Sequence, residues 1–375
     1  MTFHFQLSTA IVFGNGSINK LGEESVKLGH KAMIVTDPDI ERIGLLDNVV
    51  GDLKKKNIDV VIFDKVQCNP RTSTVDEGAE LARKEKPDFF IGLGGGSAMD
   101  TTKGIALASS GKAPVWDYVV NKAKVEGPIL PIIQVPTIAG TGSEMNGIAV
   151  LTHWESHIKA SLGGIRALQA KIAIIDPALT LTVPMKQIKA GGVDILSHLI
   201  EHYITDDTPS PLTDGISETG MKIVVEYLPR AIAHPDDIKA RTELSWVSTV
   251  AMSKIARLGG GGGAMTCHSI EHALSGYYDI THGEGLSALL PAWMSYYYVF
   301  NKERFNSLGK NVFGKKDGLK ATEQFLESIG MRLRLGDLGC KIDDEIIITD
   351  LVLRSSPAEV RLDLKTVADI YRKSF

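Results

Sequence analysis

Five short runs rich in isoleucine and valine recur at intervals across residues 31–176: KAMIVTD (31–37), DVVIFD (59–64), DFFIGLGGGS (88–97), ILPIIQVPT (129–137) and KIAIID (171–176). Each is bounded by Asp, Gly or Pro, as buried strands are. Between two of them, Val75 to Lys84 carries apolar residues at helical spacing. Alternating strands and helices predict a parallel sheet covered on both faces. Residues 147–162 (GIAVLTHWESHIKASL) read instead as a β-hairpin around Trp154–Ser156.

After Pro184 the strand signals stop. Ala190–Ile204, Asp214–Tyr227, Ala240–Ala256 and Leu286–Phe300 carry helical patterns, punctuated by Pro209, Pro211, Pro229 and Pro235. A chain of 375 residues exceeds one typical domain. The expected division is therefore an α/β domain over 1–184 and an all-α domain over 185–375. The five glycines Gly259–Gly263 read as a helix break with close backbone packing rather than a boundary. Net charge is −4 with no basic block, which argues against a nucleic-acid partner. No apolar run approaches the ~18–20 residues that span a bilayer. The opening MTFHFQLSTAIVFGNGS lacks the basic and apolar regions of a signal peptide, and Cys68, Cys267 and Cys340 form no paired framework. Reduced thiols in the cytoplasm are the expectation.

The strand DFFIGLGGGS runs directly into SAMDTTKGIALA. Glycine lets backbone approach a ligand closely, and the free N–H groups opening a helix attract phosphate. Gly94, Gly95, Gly96 and Ser97 thus make a candidate pyrophosphate cradle. Gly92-x-Gly94-x-x-Ser97 only approximates the dinucleotide fingerprint, so an ordinary strand-to-helix turn fits as well. Gly14-x-Gly16 reads as a turn. Asp37 ends a strand, where a carboxylate can accept hydrogen bonds from an adenosine ribose; an exposed loop Asp before Pro38 is the simpler alternative.

A second constellation lies in the helical half. Asp194 and His198 stand i,i+4 in GGVDILSHLIEHY, as do His268 and His272 in CHSIEHAL, and His282 follows at the start of another helix. One carboxylate with several imidazoles is a ligand set for zinc or iron(II). The segments His198–His202 and His268–His272 also both match HxxEH, the inverted zinc-hydrolase motif, in which both histidines bind zinc and the Glu activates water. Against a zinc peptidase, the motif occurs twice where one site needs one copy, and the α/β half is left without a task.

Taken together, GGGSAMDTTK, VPTIAGTGSE, GGVDILSHLIEHY and the spacing of His268 to His282 resemble the ordered motifs of the iron-containing (group III) alcohol dehydrogenases, over essentially the full chain. EMNGIAV and HGEGLSALLPAWM are most similar to the butanol-dehydrogenase-type subgroup. The resemblance implies a Rossmann-like dinucleotide-binding domain, a helical metal-binding domain, and a site in the cleft between them. It implies Asp194, His198, His268 and His282 as metal ligands, and His272 near the substrate on a proton path. Asp37, Asn69, Gly94 to Ser97, Asp100, Thr137, Thr141 and Lys159 would surround the dinucleotide. Family members are commonly dimers or larger, so a homo-oligomer is implied.

The expected reaction is hydride exchange between a small primary alcohol or its aldehyde and a nicotinamide dinucleotide, with iron(II), or else zinc, at the metal site. The subgroup often uses NADP, whereas Asp37 favours NAD. Ile138 stands where many members have a second Thr, and Leu286 where many have Asn. A zinc-dependent glycerol or polyol dehydrogenase is the alternative within the fold. A sugar-phosphate cyclase would need basic residues where Ile195, Leu196, Leu199, Ile270, Ala273 and Leu286 flank the expected ligands.

Overall fold

A computed structural model describes residues 5–206, 208, 210–253, 255–257, 264–355 and 362–375. The glycine run 259–263 lies outside the described residues. Clustering of contacts divides the chain into two compact units: Leu7–Ser156 with Ala160–Val183, and Pro184–Phe375 with His157–Lys159.

The first unit is built on β1 (Ala10–Phe13), β2 (Lys31–Thr36), β3 (Asp59–Phe63), β4 (Phe89–Gly94), β5 (Ile132–Pro136) and β8 (Ile172–Ile175), in the order β1-β8-β5-β4-β2-β3. Every pairing is parallel. The five expected strands are all present. The sixth, β1, is a four-residue edge strand with half its residues exposed, so it carries little of the apolar signal by which strands are read. Side chains alternate across the sheet as a period of two requires. Met33, Val35 and Phe90 join Val75, Ala79 and Ile105 in one core. Ala32, Ile34 and Ile91 join Leu45, Val49 and Leu53 in the other. Val75 and Ala79 lie on helix α2 (Thr72–Glu85) and Ile105 on α3 (Gly96–Ser109), downstream of α1 (Pro38–Arg42). β6 (Ala149–His153) and β7 (Ile158–Leu162) pair as the expected hairpin, with a single 3-10 turn at Trp154–Ser156.

From Pro184 onward the second unit is helical, with no strand among its described residues. Its main elements are α4 (Met185–Thr205), α5 (Pro211–Ala233), α6 (Ile238–Ala251), α7 (Thr266–Tyr278) and α8 (His282–Tyr298). Pro229 does not end its helix: α5 runs one more turn to Ala233. A proline that close to the C-terminus costs only one ladder hydrogen bond, and the packed helix absorbs it. No described helix is long and apolar enough to cross a membrane.

Candidate active site

Strand order places the glycine turn. The chain passes from β2 outward to β3, returns to pair β4 on the other side of β2, and continues outward to β5. The direction of winding therefore reverses between β2 and β4, and ligands of doubly wound sheets bind beyond the carboxyl ends of strands at such a point. Register sets Thr36 beside Leu93 and Gly94 beside Pro136. Asp37 and Thr137 consequently follow, and Gly94 closes, three neighbouring strands, and the Thr137 amide donates to the Gly94 carbonyl at 3.0 Å.

The turn has no room for side chains. Gly94 holds φ +147°, a conformation suited to glycine, and a Cβ there would stand 2.8 Å from Ala98 Cβ and 3.0 Å from Asp37 Oδ2. A Cβ on Gly96 would meet Thr141 Cγ2 at 2.5 Å, and one on Gly95 would meet Ile138 Cδ1 at 3.3 Å. Gly95 is the N-cap of α3 and offers no side-chain acceptor, so the first-turn N–H groups around Ser97 are left for a ligand. Asp37 Oδ1 accepts from Asp39 N at 3.0 Å and so caps α1. Burial raises the Asp37 carboxyl above its usual range, against the pull of backbone N–H groups.

Asp100 is engaged with its own unit. It accepts from Ser143 Oγ at 2.6 Å and from Val150 N at 2.9 Å. Lys103, fully buried, donates to the carbonyls of Ser143 and Ile148 at 2.6 and 2.7 Å. Together they shape the loop from β5 to β6. Burial lowers the Lys103 ammonium to about 8. Asn69 is buried with φ +49°, on a separate stretch that is stitched to β6 where Thr152 N donates to Pro70 O at 2.7 Å.

In the helical unit three imidazoles face one carboxylate oxygen. His198, His268 and His282 place Nε2 at 3.5, 3.4 and 3.7 Å from Asp194 Oδ1. Ligand atoms of Asp194, His268 and His282 all fall within 4.8 Å of one another, and His198 joins through Asp194 and by stacking on His268 at 4.6 Å. Two donors each ~2.1 Å from a shared tetrahedral ion stand about 3.4 Å apart, so these separations suit a bound cation. The two other ring nitrogens that point outward reinforce this. His268 Nδ1 bonds Glu201 Oε1 and His282 Nδ1 bonds Glu271 Oε2, which turns both Nε2 lone pairs toward Asp194. Lone pairs aimed at a carboxylate repel unless positive charge lies among them. Burial would lower the basicity of His268, yet Glu201 and Asp194 push it up to about 10. Burial would likewise raise Asp194, but the imidazoles hold it below the ordinary carboxyl range. The donor set fits a divalent metal.

His272 lies beside this cluster, its ring centroid 5.6 Å from that of His282. Burial, with the charges of Lys159 and the neighbouring histidines, lowers its pKa well below the ordinary value, and its buried Nδ1 has no partner among the described residues. Lys159 groups with the helical unit. Its ammonium donates to Ser275 Oγ at 2.8 Å and lies 3.8 Å from Glu271 Oε2. The two glutamates are the acids of the HxxEH copies. Both are wholly buried and bonded to histidine, which leaves them unavailable to activate water, and neither group of possible ligand atoms includes His202. Neither glutamate is therefore placed to serve as the base of a peptidase. What the residue pattern did not disclose was the actual use of Glu201 and Glu271; their i+3 spacing from His198 and His268 was the available signal.

A phosphate-type turn at the switch point of a parallel sheet, carried on one chain with a buried carboxylate–imidazole cluster, marks a metal-dependent dehydrogenase. Residues 8–177 match the family described as iron-containing alcohol dehydrogenase, and residues 188–375 match the C-terminal part of the Fe-containing alcohol dehydrogenase family. The chain is 33% identical to NADH-dependent butanol dehydrogenase A of Clostridium acetobutylicum, covering all of both proteins. It is 31% identical to 1,3-propanediol dehydrogenase of Citrobacter freundii, covering 100% of this chain and 99% of the relative. The crystal structure of NADH-dependent butanol dehydrogenase A from Thermotoga maritima superposes with a TM-score of 0.94 at 34% identity, over 100% of this chain and 98% of that one. The chain belongs to the iron-containing alcohol dehydrogenase family, and the reaction class is the interconversion of an alcohol and its carbonyl product.

Proposed function

We propose that this enzyme interconverts a small primary alcohol and its aldehyde by hydride exchange with NAD(H), using iron(II) held by Asp194, His198, His268 and His282. The convergence of three Nε2 atoms on Asp194 Oδ1 carries the reading. A cation bound there supplies Lewis-acid polarisation of the substrate oxygen. The protein's own residues do the rest. Gly94 to Ser97 receive the pyrophosphate at the start of α3, and Asp37 receives the ribose hydroxyls. Asp100, Asn69, Thr137 and Thr141 complete the dinucleotide surroundings within the same unit. A nicotinamide dinucleotide held there would supply the hydride acceptor or donor. His272 stays neutral and moves a proton by taking it at one ring nitrogen and releasing it from the other. Ile195, Leu196, Leu199, Ile270, Ala273 and Leu286, all buried, surround the cluster in sequence and favour an apolar substrate chain. The relatives named for NADH support the cofactor assignment.

The test is a panel of alcohols and aldehydes assayed with both nicotinamide cofactors. Turnover of short primary alcohols or aldehydes with NAD(H) is the expected result; turnover confined to vicinal polyols would favour the polyol dehydrogenase reading instead. A homo-oligomeric assembly, in line with the family resemblance, belongs to the same proposal and is read by light scattering.

A further inference from the structure

Two wholly buried carboxylates have no part in the reaction as described: Glu201 and Glu271. We propose that they are positioning residues, and that each His-x-x-Glu segment supplies one metal ligand and steadies the next ligand along the chain. His198 begins a segment whose Glu201 bonds His268 Nδ1. His268 begins the second, whose Glu271 bonds His282 Nδ1. The spacing makes this possible, because residues three apart share a helix face: the His can turn to Asp194 while the Glu reaches the neighbouring ligand.

Each carboxylate is fixed from several sides. Glu201 Oε1 also accepts from Ser197 Oγ at 3.0 Å. Its Oε2 accepts from the amides of Cys267 and His268 at 2.8 and 3.3 Å, satisfying first-turn N–H groups of α7. Glu271 Oε2 faces Lys159 Nζ at 3.8 Å, and Ser275 ties that lysine to α7 by accepting at Oγ from Lys159 and donating to the Glu271 carbonyl at 3.2 Å. Gly285 leaves the space: a Cβ there would stand 2.9 Å from Glu271 Oε1. Glu271, His272 and His282 could themselves group around a cation, but the Lys159 ammonium already supplies positive charge beside Glu271, which makes this an orienting cluster rather than a second metal site. A carboxylate on Nδ1–H fixes the tautomer, turns the Nε2 lone pair toward the metal and raises its donor strength.

The proposal rests on the metal ligands assigned above. It is tested on the full-length protein, stripped of metal and titrated with cobalt(II) against a competing chelator, reading both affinity and the visible ligand-field spectrum. Glu271→Ala should weaken cobalt binding about 10- to 100-fold and change the spectrum. Glu271→Gln, whose amide oxygen still accepts from Nδ1–H, should restore most of the loss, and Glu201→Ala should lose affinity as Glu271→Ala does. Should Glu271→Ala fail to fold, Glu271→Asp, which withdraws the carboxylate by one methylene, takes its place with the same expected direction. A folded Glu271→Ala or Glu271→Asp protein with wild-type affinity and spectrum, even if less thermostable, overturns the proposal. Wild-type protein that binds no cobalt overturns the ligand assignment itself, and this inference with it.

Discussion

Asp37 Oδ2 lies 3.0 Å from the position a Cβ on Gly94 would take, so the acid at the end of β2 stands directly over the glycine turn at the end of β4. A dinucleotide whose pyrophosphate lay on that turn would, on the proposed binding mode, present its adenosine ribose to Asp37. NADP would bring a 2′-phosphate of charge near −2. At ~4 Å the repulsion is about 2 kcal/mol even at the dielectric of water, which is roughly 30-fold in affinity. Of the two cations nearest in sequence, Lys31 pairs with Glu85 at 3.0 Å, and Arg42 pairs with Asp39 on the exposed side of α1, where its charge also reaches Asp37. NAD should therefore be preferred by ~30-fold or more in kcat/KM, and Asp37→Gly should narrow or reverse the ratio. A wild-type preference for NADP, or a ratio unmoved by the substitution, would show that Asp37 does not meet the ribose.

The same contact should respond to pH. Burial raises the Asp37 carboxyl, so on acidification it loses its charge earlier than an ordinary Asp. Loss of that charge removes the repulsion toward the 2′-phosphate. Discrimination against NADP should shrink as pH falls from neutral toward the raised pKa of Asp37. The phosphate titrates in this range too, and Asp37→Gly reports that contribution alone. Cofactor dissociation constants measured in both proteins should change their ratio more in wild type than in the variant; equal changes would refute the Asp37 contribution.

The histidines divide into two groups with separable outcomes. His282 shares Asp194 Oδ1 with His198 and His268, whereas His202 stands one turn beyond His198 on α4, eight residues from Asp194. His282→Ala should lose metal affinity and activity together. His202→Ala should retain metal; since His202 is buried, a fall in melting temperature is the expected cost. Metal content measured on both purified proteins decides between them. Metal lost from His202→Ala and kept by His282→Ala would reverse the assignment.

Much of this arrangement could be read before the structure. β2, β3, β4, β5 and β8 announce themselves because buried parallel strands are continuous apolar runs; β1 escapes because an exposed edge strand of four residues is not. The i,i+4 pair Asp194 and His198 is visible in sequence because one helix face carries both. The convergence of His268 and His282 on Asp194 depends on how α4, α7 and α8 pack, which no local pattern encodes. Glu201 and Glu271 were legible only as acids of a hydrolase motif. Their partners are 67 and 11 residues away, and only the folded chain shows that these acids bond the candidate metal ligands His268 and His282. Pro229 misled because propensity speaks against a helix that tertiary packing completes.

Alcohol oxidation by this enzyme should depend on a metal held by Asp194, His198, His268 and His282. One carboxylate and three imidazoles already fill the tetrahedral preference of zinc, the closed arrangement of structural sites, so a cation that accepts more donors is better suited to turnover. The direct measurement is activity of protein stripped by a chelator, verified metal-free, and then reconstituted separately with iron(II) and zinc. No turnover is expected without metal, and the highest with iron(II); best activity with zinc would overturn the iron preference alone, and full activity in the metal-free protein would show that the reaction needs no metal at this site.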